Sequence, residues 1–475
     1  MVDDQRMVAT NDVSQHTGAN VSLDGHVDAD AEFIKELENT KGLTEDQKKE
    51  ILAARHQKKV KVPFKQSLAV ALAAGMGYGF DAYAVNIYGI VLPEIQNTLQ
   101  ISAATAGMIG TIFLIGYTIG TVGFGMAADR FGRRDTLGVS ILVYGTTTAL
   151  GGLTHNFGLF TFLRFLTGVG GAGELAVGAP YTAEMWPRKY RALGTGGIMF
   201  SLYSLGYILA AIAALVIVPR WGWEPAFVFA IIPALFVFVL RRYVQESVRY
   251  TVQKLKAAAE AKSETGKKSK VRIWHVHHYK RRIVFGWLAY TANAVGYWGM
   301  TVFLTTYMVE KFGVSLGQAI LYALFMYIGQ FFLCYVGTGL ADWKGRRPSA
   351  ILAAVLMMVS IYFGVNSDSL PVYLLFGGMS IALLGWLWAV GDTWISELFP
   401  TEVRGTGFGI SVGGGRVASI FAPFLVGWGI DTYGVTTPYL AFIGLWVLTI
   451  IAYALGPETA GKELEETAIL KKNVA

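Results

Sequence analysis

Long runs almost free of charge dominate this sequence, and they leave few folds open to it. Residues 103–127, 192–218 and 436–456 contain no Asp, Glu, Lys or Arg. About 20 apolar residues at 1.5 Å each cross the roughly 30 Å hydrocarbon core of a bilayer. Backbone groups inside lipid must be bonded within their own segment, so such runs are expected to be helices. Charged residues make up only 15% of the 475, against about 25% in soluble chains. The net charge of +7 sits in short loops beside apolar runs. That placement reads as membrane topology, and no nucleic-acid partner is expected.

Twelve spans can be read: 66–92, 103–127, 136–154, 158–184, 192–218, 224–243, 282–308, 316–341, 348–365, 370–397, 406–430 and 436–456. The expected fold is an all-α membrane protein, with twelve transmembrane helices in two pseudo-symmetric six-helix bundles. The expected divisions are an N-terminal extension (1–62), a first bundle (63–243), a linker (244–281), a second bundle (282–457) and a tail (458–475). The first thirty residues are polar and poor in aromatics, which predicts disorder. Phe33, Ile34, Leu37, Ile51 and Leu52 predict one or two short amphipathic helices in a solvated extension. The linker, rich in Lys, Ala and Glu, predicts an exposed helix.

Charge gives the orientation. Arg130, Arg133, Arg134, Arg188, Lys189, Arg191, Lys344, Arg346, Arg347, Arg404 and the basic linker fall on one side of the twelve spans. The other side keeps Arg220 and Lys311. Positive loops mark the cytoplasm, so both termini are expected there, in a cell (inner) membrane. The polar, acidic start lacks the pattern of a cleaved signal peptide. The single cysteine, Cys334, excludes an intrachain disulfide. A monomer is expected.

A repeat organises the spans. Asp129, Gly132, Arg133, Arg134, Glu184, Pro187 and Arg191 recur as Asp342, Gly345, Arg346, Arg347, Glu397, Pro400 and Arg404, each 213 positions later. Duplicated halves of this kind place a substrate site at their interface near the midplane.

These residues carry a resemblance. GFGMAADRFGRR (123–134) resembles the loop 2–3 signature of the major facilitator superfamily, and LADWKGRRP (340–348) its second copy. RFLTGVGGAGE (164–174), YTAEMWPRKYRALG (181–194), QESVR (245–249), SELFPTEVRGTGFG (396–409), GGGRVASIFAP (413–423) and PETAGKELEE (457–466) resemble the sugar-porter and metabolite:proton symporter branch. That branch includes hexose, aromatic-acid, sialate, lactate and nicotinate carriers. FDAYAVNIYG (80–89) resembles the first-span acidic motif of aromatic-acid symporters, with Ala84 where a second acid would stand. The resemblance implies transport by alternating access. It also implies gating by Gly125, Asp129, Arg133, Arg134, Glu184, Arg191, Glu246 and Arg249, with Asp342, Arg346, Arg347, Glu397 and Arg404 in the second half.

A charge buried within a span is costly and points to function, and five stand out: Asp81, Arg164, Glu174, Asp392 and Arg416. Asp81 stands about 22 Å and Arg164 about 30 Å from the cytoplasmic ends of their spans at helical rise. An arginine can bridge that difference. An acid–arginine pair makes a proton switch, because the arginine stays charged while the acid's proton affinity follows its distance. Glu174, ten residues after Arg164, points about 80° away from it, either to the cavity edge or into packing. Asp392 and Arg416 are expected to pair as an inner gate or a structural bridge.

The solute pocket is expected from aromatic and polar residues at helical spacing: Tyr78 and Tyr88 beside Asp81, Tyr203 and Tyr207, Tyr290, Asn293 and Tyr297, with Gln330, Trp388 and Arg164. His275, His277 and His278 read as a solvated cluster, and neither a metal nor a cofactor is expected. No nucleophile–base constellation suggests an enzyme. The expected function is proton symport of a small organic acid, possibly aromatic. A sugar or neutral-metabolite symporter, an uncoupled facilitator and a transporter-like receptor are the alternatives.

Overall fold

The structure, a computed structural model, describes residues 26–40, 45, 48–49, 51–52, 62–101, 103–241, 243–262 and 272–467. The expectations for residues 1–25, for the linker's 263–271 and for the tail's 468–475 lie outside that range.

Among the described residues the chain is helical. We label α1 (Phe64–Ile90), α2 (Ala103–Phe131), α3 (Arg133–Gly151), α4 (Phe157–Met185), α5 (Met199–Val216), α6 (Ile231–Arg241), α7 (Tyr279–Val302), α8 (Leu316–Lys344), α9 (Arg346–Val365), α10 (Leu370–Glu397), α11 (Arg404–Val417) and α12 (Thr437–Leu455). Eight described helical stretches are long and apolar enough to cross a membrane, those holding α1, α2, α5 and α8 to α12. By contrast, α3, α4 and α7 carry more polar or charged residues, and α6 is only 11 residues long. Phe162, Phe236, Phe325, Phe332 and Phe424 are each more than half exposed, a surface suited to lipid rather than water.

Three expected spans are interrupted. The sixth breaks into Glu224–Val228 and α6. The seventh stops at Val302 and resumes as Leu304–Phe312. The eleventh changes to a 3-10 turn at Ala418–Ile420 before Ala422–Tyr433. Pro423 opens the segment after the eleventh span's break, where a missing N–H costs nothing but a continuous helix is disfavoured. The approach to α5 is also irregular: Leu193–Ile198 forms a π turn.

The two halves repeat one packing scheme. In the first, α2 and α3 lie against α4, α1 against α5 and α6 against α3. In the second, α8 and α9 lie against α10, α7 against α11 and α12 against α9. The halves meet along α2 on α11 and α5 on α8. Small residues set these distances. A Cβ on Gly125 would lie 2.3 Å from the Gly405 carbonyl, and one on Gly196 2.0 Å from that of Ala389.

Two expectations outside the spans change. The polar start gives way to a helix at His26–Asn39. Its Phe33 and Leu37, with Ile51, are buried in one cluster with Val248, Val252, Leu255 and Ala259 of the linker helix Val248–Lys262. Neither segment is a free solvated helix, because each supplies the apolar face the other needs.

Candidate functional site

At the Arg-rich end of the helices the repeat becomes a symmetric charge network. Arg133 meets Asp129 and Glu184, both at 3.1 Å, and Arg404 meets Glu184 at 2.7 Å. Their counterparts follow: Arg346 meets Asp342 at 2.6 Å and Glu397 at 3.0 Å, and Arg191 meets Glu397 at 3.0 Å. Asp129 also accepts from the backbone N–H groups of Gly405 and Thr406 at the start of α11. Asp342 does the same for Ala192 and Leu193 before α5. A carboxylate suits a helix N-terminus because the N–H dipoles point at it. Each half therefore bonds to the other at this end.

A second pair of acids completes the pattern. Glu246 accepts from the backbone of Arg133 and Arg134, and Glu458 from that of Arg346 and Arg347. Glycine precedes each pair of arginines with positive φ, +106° at Gly132 and +117° at Gly345. A Cβ there would come within 2.5 and 2.6 Å of the two carboxylates, so no other residue fits. Burial pushes the Glu246 carboxyl above its ordinary range, and three backbone amides pull the other way. Ser247 donates to Glu184 as Thr459 donates to Glu397. Arg249 donates to Glu463 at 3.2 Å. Glu458, Thr459 and Glu463 were not singled out individually from the sequence, although PETAGKELEE contains all three. Two expected members differ. Arg134 pairs with the exposed neighbour Asp135, and Arg347 donates to the Tyr453 and Ala454 carbonyls. Both follow an inward arginine, and one helical step turns them off the network.

The cavity lies deeper. Arg416 stands twelve residues beyond Arg404 in α11, about 18 Å at helical rise. It lines a small cavity with Tyr78, Val85, Tyr117, Phe200 and Tyr203 from the first half, and Tyr297, Trp298 and Trp388 from the second. The walls are aromatic: Tyr78 and Tyr203 have ring centroids 4.5 Å apart, and Phe200 stacks on Tyr203 at 5.4 Å and on Trp388 at 6.3 Å. Arg416 donates to the Tyr290 hydroxyl at 2.8 Å and lies 4.2 Å over the Tyr117 ring. Two buried donors on this side have no hydrogen-bond partner, Arg416 Nε and Trp388 Nε1. The Arg416 Cζ is 5.9 Å from the Trp388 ring. A buried donor without a partner is costly, so this wall is ready for an acceptor.

The structure divides the expected site residues. Tyr78, Tyr203, Tyr297 and Trp388 line the cavity, and Tyr290 supports it through Arg416. Tyr88 instead donates to the Ala106 carbonyl, Tyr207 stacks on Tyr327, Asn293 donates to Leu387, and Gln330 joins Ser204 to Ile381. Those four bond or pack between helices, because spacing along one helix does not say which face meets a neighbour. Tyr117 and Phe200 were missed; nothing in their own stretches marks them from packing aromatics.

The buried charges also sort differently. Among the described residues no ion pair joins Asp81 to Arg164. Asp81 is fully buried and accepts from Tyr117 at 3.0 Å, with Oδ1 unpartnered. Arg164 donates to the Ala84 carbonyl and lies between the Tyr88 and Phe113 rings. Glu174 faces neither cavity nor gate. Arg241 donates to both its carboxylate oxygens, and Ser140 lies 3.2 Å away. Arg241 was overlooked because a basic residue at a span end reads as a snorkelling anchor. Asp392 and Arg416 form no ion pair: Asp392 Oδ1 has no partner, and Arg416 belongs to the cavity.

Comparison with known proteins agrees with this architecture. The family model described as Major Facilitator Superfamily matches residues 74–361 and 286–472. A putative metabolite transport protein of Haemophilus influenzae is 27% identical over 397 residues, covering 83% of this chain and 97% of that protein. The niacin transporter NiaP of Acinetobacter baylyi is 26% identical over 420 residues, covering 83% and 95%. The solved structure of the proton:xylose symporter XylE of E. coli superposes with a TM-score of 0.72 at 20% identity, covering 85% of this chain and 98% of XylE. That last likeness is one of fold.

Proposed function

The chain belongs to the major facilitator superfamily, and on that footing we propose that it carries a small organic acid, preferably aromatic, together with a proton. In this reading α1–α12 are the twelve spans and the two halves are the rocking units of alternating access. The Arg-rich end faces the cytoplasm of a cell membrane, as positive-inside topology requires. The structure then corresponds to a state closed on the cytoplasmic side by the paired network.

One observation carries the substrate reading: Arg416 and Trp388 line an aromatic-walled cavity between the halves, and each has a buried donor without a partner among the described residues. A carboxylate is an acceptor suited to such donors, and an aromatic solute would pack against the rings of this wall once the cavity opens. Arginine recognises a carboxylate by its planar fork, at a strength set by the low local dielectric. The Acinetobacter relative is a niacin transporter, and niacin is an aromatic carboxylic acid. Asp81, buried and half-partnered, is the proton site, because one unpartnered oxygen can take a proton without breaking a bond.

The test is proton uptake into liposomes holding the purified protein and a trapped pH dye, with benzoate, nicotinate, xylose and a neutral amide added in turn. Acidification with the two carboxylates alone is expected. Acidification with xylose alone would replace the acid reading by a sugar one. Binding without acidification would remove the proton.

A further inference from the structure

We infer that Tyr117 couples solute binding at Arg416 to the proton on Asp81, an inference that rests on the symport reading above. The residue joins two charges that lie on different halves. Its hydroxyl donates to Asp81 Oδ2 at 3.0 Å, linking α2 to α1. Its ring face lies 4.2 Å below the Arg416 guanidinium of α11. Tyr117 is itself buried and lines the cavity. No structural role requires both contacts: packing would be served by phenylalanine, and a buried carboxylate by any donor.

The two contacts reinforce each other. A cation over the ring makes the phenol a stronger donor, and donation to a carboxylate makes the ring richer in electrons for the cation. Ionised Asp81 and Arg416 at rest are thus stable together. A carboxylate solute that pairs with Arg416 cancels the guanidinium charge and draws it off the ring. Asp81 then loses the support of its charge in a buried site, and its proton affinity rises. A proton taken up from solution adds to the Asp81 carboxylate, and no other covalent bond changes. Departure of the solute returns Arg416 to the ring and releases the proton.

The other groups around Asp81 are committed elsewhere. Tyr117 faces it from α2, Glu174 and Arg164 from α4, and Arg416 from α11. Glu174 is held by Arg241, and Arg164 by the Ala84 carbonyl. On α4, a Cβ at Gly171 would stand 2.0 Å from Oδ1, so the backbone there closes tightly on that oxygen. Of the four, Tyr117 and Arg416 are the ones that line the cavity.

Tyr117→Phe keeps the ring under Arg416 and removes the donor. The full chain in liposomes is assayed with benzoate, in wild type, Tyr117→Phe and Asp81→Asn. Wild-type benzoate affinity should rise about tenfold per pH unit lowered in the linked range. In Tyr117→Phe that slope should fall below about threefold per pH unit. Benzoate-driven proton uptake should be lost, as in Asp81→Asn. A residue that only packs would change exchange or thermal stability and leave the pH slope alone. A wild-type slope and wild-type proton uptake in Tyr117→Phe would overturn the inference while symport stands. No benzoate-driven proton uptake in wild type would overturn the symport reading and this inference with it. If Tyr117→Phe does not fold, Tyr117→Trp keeps a ring face and displaces the donor. The same loss of slope is then expected, and the same retention of it would overturn the inference.

Discussion

At the scale of single residues, charge type is visible in the sequence and partner choice is not. Arg164 and Arg416 are both buried arginines within apolar runs. One is enclosed by Tyr88, Phe113 and the Ala84 carbonyl, whereas the other faces the cavity with an unpartnered Nε. Their substitutions should therefore diverge. Arg416→Lys exchanges a planar fork for a point charge and should weaken benzoate binding by about 10- to 100-fold, or roughly 1.4–2.8 kcal/mol. Arg164→Lys should leave benzoate affinity within about threefold. Isothermal titration on the purified proteins measures both, and the reverse order would move the carboxylate anchor to Arg164.

Elements are where glycine matters. Gly125 in α2 and Gly405 in α11 sit backbone to backbone, with no room for a side chain. Gly125→Val should wedge the helices apart at the Arg-rich end and favour the state open there. Thr121, one turn deeper in α2 and fully buried, reports the change when replaced by cysteine, since native Cys334 is itself buried. Maleimide labelling of Thr121→Cys should accelerate on the order of tenfold in the Gly125→Val background. An unchanged rate would mean that the contact does not hold this end shut. The interrupted spans belong to the same scale. Pro423 was a visible signal, yet hydropathy alone runs through it, because a break in an apolar helix keeps its apolar side chains.

Across the whole molecule, the network at the Arg-rich end makes the two halves mutually dependent. Glu184 of the first half is shared by Arg133 and Arg404, and Glu397 of the second by Arg346 and Arg191. Removing one member strands a buried cation. Glu184→Gln or Glu397→Gln should each cost about 3–5 kcal/mol. A thermal melt in detergent reads this as a lowered Tm. The two substitutions should cost similar amounts, because the sites are copies. A melt unchanged by either would show the network to be solvated and dispensable.

The sequence by itself determined the membrane class, the repeated charged motifs and most residues of the network at the Arg-rich end. The physical reason is that each is written in one dimension. An apolar run has a length, the repeat has an offset of 213, and Gly132 and Gly345 stand where the backbone needs positive φ. The tertiary structure decided which buried charge meets which. Glu174 lies with Arg241, and Tyr117 connects Asp81 to Arg416, although 36 positions separate Asp81 from Tyr117 along the chain. A charge inside lipid takes the partner that helix packing brings within about 3 Å. That distance depends on crossing angles and on small residues in neighbouring helices, which spacing along one helix does not contain.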